Sequence, residues 1–81
     1  MRSRRILIAY QDDLWVKSLS TFFHGIRYRV ETARAVSDLI RRVRNGKVQV
    51  VLMDDEVEGV KAWDVVSLIK RINSRVQVTK F

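Results

Sequence analysis

The run Ile6–Ala9 is apolar throughout and only strand-long, so it predicts a strand covered on both faces. Val48 to Met53, apolar apart from Gln49, predicts a second one, closed by Asp54-Asp55-Glu56. Arg27 to Thr32 alternates charged and uncharged residues, as a half-exposed edge strand does. Val76 and Val78, set among polar residues, start a last strand. Between these runs the period changes to that of a helix. Trp15, Leu19, Phe22 and Ile26 recur at helical spacing, and Asp12 or Asp13 can cap that helix while His24-Gly25 stops it. Val36, Leu39, Ile40 and Val43 form a second stripe, ended by Asn45-Gly46. Val65, Leu68, Ile69 and Ile72 form a third, broken by Asn73-Ser74. The order β-α-β-α-β-α-β predicts a parallel sheet with helices on its faces and right-handed crossovers. The strands are expected at Arg5–Tyr10, Tyr28–Thr32, Gln49–Met53 and Val76–Thr79 or a little further, the fully apolar ones central.

The 81 residues suit one domain spanning residues 1–81. There is no cysteine, which excludes a disulfide, a thiolate zinc site and a cysteine nucleophile, and fits a cytoplasmic setting. A single histidine excludes a histidine metal cluster. No apolar run has membrane-spanning length, and the start lacks the long apolar region and cleavage site of a signal peptide. Sixteen Lys and Arg against nine Asp and Glu leave a net charge of +7, which favours acidic partners. The basic residues look scattered along the chain: Arg2, Arg4 and Arg5 at its start, Arg27 and Arg29 in a strand, and Arg41, Arg42, Arg44 and Lys47 around a helix end.

In an open parallel sheet, ligands bind beyond the carboxyl ends of the strands. Two strands end there in acid, Asp12-Asp13 and Asp54-Asp55-Glu56, and carboxylates converging at strand tips suit a hard cation such as Mg²⁺. No glycine-rich phosphate loop follows the first strand, so a nucleotide fold is not expected. The lone His24 reads as a cation at a helix C-terminus, Glu56 and Glu58 as solvated loop acids, and Trp15 and Trp63 as core or interface anchors. No nucleophile–base pair is evident, so no enzymatic activity is expected.

The segments RRILIAYQDD, YRVETA, VQVVLMDD with EGVKAWDVV, and IKRINSRVQV, taken with their spacing, resemble the receiver domain of bacterial two-component response regulators, from about Arg5 to Phe81. The resemblance implies a flavodoxin-like, receiver-type three-layer α/β sandwich with parallel sheet order 2-1-3-4, lacking the last strand and last two helices. It places Asp54 on the phospho-accepting aspartate, which in the family attacks a phosphohistidine with Mg²⁺ neutralising the developing charge. It puts the carbonyl of Glu56 on the backbone metal ligand and matches Gly59 to the glycine of that loop. It also implies a degenerate acidic pocket. Tyr10 and Gln11 stand where the Mg²⁺-holding acidic pair belongs, and Asp12-Asp13 follows two places later. Asp12 reaches a metal beside Asp54 only through a slip in strand register, which turns side chains to the other face. Glu58 replaces a usual proline, and Lys61 and Ala62 replace a usual Asp or Asn and a Gly. The family's Ser/Thr at the end of strand four falls just beyond Phe81, and the strand-five lysine is absent.

Three functions follow as expectations. The first is a degenerate receiver acting by protein–protein interaction or homodimerisation, with Phe22, Phe23 or Phe81 near the contact, and a histidine kinase or transcription regulator as partner. The second is a working phosphoacceptor on Asp54 in a phosphorelay, with Mg²⁺ held by Asp12, Asp54 and the Glu56 carbonyl. The third is a basic nucleic-acid-binding domain in transcription control.

Overall fold

In the computed structural model, residues 4–80 are described. The chain runs β1 (Arg5–Ala9), α1 (Asp13–Gly25), β2 (Arg29–Thr32), α2 (Val36–Arg44), β3 (Val50–Met53), β4 (Glu56–Val57), β5 (Val60–Lys61), α3 (Ala62–Ile72) and β6 (Gln77–Lys80). The four long strands form a parallel sheet in the order β2-β1-β3-β6. Counting long strands alone, this is the expected order 2-1-3-4, with the apolar strands β1 and β3 central. Strand ends differ from expectation by a residue at Tyr10, Tyr28, Gln49 and Val76.

Helices cover both faces of the sheet. On one face Leu7, Ala9, Val51 and Met53 pack with Leu39 and Val43 of α2 and with Val65 and Ile69 of α3. On the other, Ile6, Ile8, Tyr10 and Leu52 pack with Leu19 of α1, and Val16 and Phe23 flank them. The alternation of β1 explains the division: Leu7 and Ala9 point one way, Ile6, Ile8 and Tyr10 the other. Among the described residues no helix is long and apolar enough to cross a membrane.

Two turns depart from the sequence expectation. Gly25 is helical, and α1 ends later, where Arg27 takes φ 70°. The Tyr28 amide donates to the Phe23 carbonyl (2.9 Å) and the Arg27 amide to the His24 carbonyl (3.0 Å). This is a Schellman ending with arginine in the left-handed position that glycine usually fills. The Phe23 and Tyr28 rings meet edge to face at 5.3 Å and supply its apolar contact. Arg27→Gly is therefore expected to stabilise the fold by about 1 kcal/mol, read as a rise of several degrees in melting temperature. The second turn joins β4 to β5. The loop expected after β3 is a two-residue hairpin, Val57 pairing Val60, with Glu58 (φ 51°) and Gly59 (φ 77°) both left-handed. Such a turn matches the twist of its flanking strands. It buries Val57 in the core beside α2 and α3.

An ionic network ties β1, β2 and α2. Glu31 accepts from Arg5 and Arg42, and Arg42 and Arg41 both reach Asp38. The hydrogen bond from Arg41 holds the Asp38 carboxyl below its ordinary value against the opposing effect of burial, with Arg42 adding to the lowering. A carboxyl whose folded pKa is depressed stabilises the fold above its unfolded value and loses that contribution as pH falls through the folded one. Asp38→Asn should therefore lower the melting temperature at neutral pH and flatten its decline below about pH 4. Thermal melts from pH 2 to pH 7 check this.

Candidate functional site

At the carboxyl ends of β1, β3 and β6 lies a surface cleft of about 920 Å³ lined by Gln11, Asp54, Asp55, Glu56, Lys61, Ala62, Trp63, Val66 and Lys80. Parallel strands bring these residues together. Asp54 follows the last residue of β3, and its amide donates to the Ala9 carbonyl of β1 at 3.3 Å. Met53 pairs in register with Lys80 of β6, which brings the Lys80 ammonium to Asp55 at 2.9 Å. The Ala62 amide, opening α3, donates to the Asp55 carbonyl at 2.8 Å. The Asp54 carboxylate accepts the Asp55 amide at 2.8 Å.

The structure divides the residues at the tip of β1. Gln11 reaches the cleft and donates through Nε2 to the Arg34 carbonyl at 2.9 Å. Tyr10 does not line it. Its side chain is 3% exposed, lies in the core against α1 and meets the Trp15 ring at 6.3 Å. The placing of Tyr10 in the acidic pocket is thus corrected: its side chain continues the Ile6 and Ile8 face onto α1, while Gln11, past the end of β1, reaches the cleft. Asp12 is the helix cap the sequence suggested, and the alternative reading of it as a metal ligand is the one that gives way. Its carboxylate accepts the Leu14 amide at 2.8 Å as the α1 N-cap, so it is committed to its own helix and not to Asp54. Asp13 pairs with Arg34. Asp54 and Glu56 line the cleft.

Three features were not read from the sequence. Lys80, at the end of β6, lies on the Asp55 carboxylate, and Lys61 joins it in the cleft. Register between β3 and β6 was the available signal. Glu58, expected to be a solvated loop acid, caps α2: its Oε1 accepts the Val36 amide at 2.7 Å where Ala35 supplies no side-chain cap. Trp63 and Trp15 are exposed rather than core, at 82% and 53%, and Leu14 beside Trp15 is 76% exposed.

A Mg²⁺ ion, which this fold implies, needs clustered oxygen ligands. Among the described residues no three His, Cys, Asp or Glu side chains gather to hold a metal. Asp54, Asp55 and Glu56 face Lys61 and Lys80, so three acids against two lysines leave one net negative charge. An ammonium lies on one of those acids, and an amide replaces a carboxylate at Gln11. The residues present do not fit the ion.

The fold is that of response-regulator receiver domains. The chain superposes on the non-phosphorylated HemR receiver domain from Leptospira biflexa with a TM-score of 0.85 and 20% identity, over 96% of this chain and 63% of that one. The MaeR response regulator bound to beryllium trifluoride gives 0.84 and 18%, over 96% and 66%. The anti-anti-sigma factor PhyR from Bartonella quintana gives 0.80 and 17%, over 99% and 33%. The chain thus spans between a third and two thirds of these structures. No protein-family model and no curated protein matches it.

Proposed function

We propose that the chain is a degenerate receiver-like module of response-regulator type that acts by protein–protein association in the cytoplasm, without a phosphorylation switch. The observation that carries this reading is the strand-tip cleft. Asp54 stands where the receiver resemblance puts the phosphoacceptor, but Asp12 is a helix cap, Gln11 is an amide bonded to backbone, and Lys80 lies on Asp55. The association half rests on the exposed aromatics. Trp63 stands at the cleft rim beside Val66, and Trp15 and Leu14 stand at the start of α1. Exposed tryptophan is a side chain that interfaces use as an anchor. Phe22 is 59% exposed on α1 and meets Phe23 edge to face at 5.0 Å. Phe81, the other residue expected at a contact, lies outside the described residues.

A second copy of this chain is the expected partner, packed through the α1 side in a two-fold arrangement. A histidine kinase or a transcription regulator would dock at the Trp63 rim. Sedimentation equilibrium across the micromolar range tests the self-association: a dimer that Phe22→Ser weakens is expected. A folded monomer with a concentration-independent melting temperature contradicts it.

A further inference from the structure

The fold gathers cations that the sequence scatters. The strands are parallel and start at one end, as the bonds from the Arg29 amide to the Arg4 carbonyl (2.7 Å), the Gln49 amide to the Arg5 carbonyl (3.0 Å) and the Gln77 amide to the Gln49 carbonyl (3.0 Å) require. Arg4, Arg27, Arg29, Lys47 and Arg75 all lie at or just before strand starts. The helices run back to this same end, which brings Arg44 at the close of α2 and Arg71 in the last turn of α3. All seven are exposed, and among the described residues none of them forms an ion pair.

The acids are elsewhere. Asp12, Asp13, Asp54, Asp55, Glu56, Glu58 and Asp64 all lie at the opposite end, at strand tips, the hairpin or helix starts. The remaining two, Glu31 and Asp38, are already bound by Arg5, Arg41 and Arg42. Charge at helix ends accounts for Arg44 and Arg71 but not for the five cations outside helices. The three helix C-termini bring about half a negative charge each, about −1.5 in all, which leaves the seven cations in large excess.

We propose that this face, at the amino ends of the strands, binds the sugar-phosphate backbone of nucleic acid independently of base sequence. Six of its seven free cations are arginine, whose planar fork matches phosphate oxygens. The face is broad: four strands about 4.8 Å apart, flanked by helices, let it reach several successive phosphates. Of the exposed large apolar side chains, Leu14, Trp15 and Trp63 lie at helix starts on the acidic end and Leu68 lies midway along α3; Phe22 and Ile26, near the close of α1, are the two toward the basic end, a small apolar area beside seven cations.

The test uses a labelled 20-base-pair DNA duplex of arbitrary sequence and fluorescence anisotropy at 50 and 200 mM salt. With about five phosphates engaged, the affinity of the unmodified chain should fall about 500-fold between the two. The quadruple variant Arg4→Gln, Arg29→Gln, Arg44→Gln, Arg75→Gln should weaken binding at 50 mM salt by at least about 30-fold. Arg75→Gln alone should lower the salt slope by about one. Lys61→Gln with Lys80→Gln, at the other end, should change affinity by less than about threefold. The proposal is overturned by no duplex binding at 50 mM salt or by equal weakening from the two sets of substitutions. Tighter binding to phosphatidylserine vesicles, which would make the face a membrane surface, overturns it too. So does equal binding to polyglutamate, which would point to an acidic protein.

Discussion

Leu7→Ala should lower the unfolding free energy by about 3 kcal/mol, as buried leucine truncations do. Leu7 is fully buried in the central strand β1, packed toward α2 and α3. A chain of 81 residues has a total stability of about 4–12 kcal/mol, so one such cavity removes a large share. Leu14→Ala, at a residue 76% exposed, should cost no more than about 0.5 kcal/mol. Urea unfolding of both variants checks the contrast. A Leu7 variant as stable as the Leu14 variant would mean that β1 is not central.

The second large effect separates two adjacent residues. Tyr10→Asp places a carboxylate in the core against α1 and should cost about 4 kcal/mol or more, enough to unfold much of the population. Gln11→Asp places the same group in the cleft beside Asp54, loses one hydrogen bond to the Arg34 carbonyl, and should leave the fold intact. It should also create a Mg²⁺ affinity in about the millimolar range, visible as a rise in melting temperature with added Mg²⁺. Circular dichroism with and without Mg²⁺ reads both. If Tyr10→Asp is tolerated and Gln11→Asp is not, the faces of β1 have been assigned the wrong way round.

The sheet was legible because its signals are local. Ile6–Ala9 and Val50–Met53 carry runs that only a strand covered on both sides tolerates, and the helical stripes between them fix the crossovers. The same alternation placed Tyr10 with Ile6 and Ile8, and parity alone would have assigned it to the core. What escaped was set by the pairing of distant segments. Lys80 meets Asp55 only because β6 lies in register with β3. Glu58 caps α2 only because a hairpin with two left-handed residues turns it back across the chain. The basic face escaped for the same reason: its members are separated by as much as 71 positions, from Arg4 to Arg75, and meet only at strand starts and helix ends.

With Asp54 at the tip of β3, Gln11 bonded to the Arg34 carbonyl and Lys80 on Asp55, the chain is expected not to take up a phosphoryl group. Intact-protein mass spectrometry after incubation with Mg²⁺ and a small acyl phosphate tests it most directly. The mass is expected to stay unchanged, for the unmodified chain and for Asp54→Asn alike. A phosphoryl adduct on the unmodified chain that is absent from Asp54→Asn would contradict the account and make the chain a working phosphoacceptor.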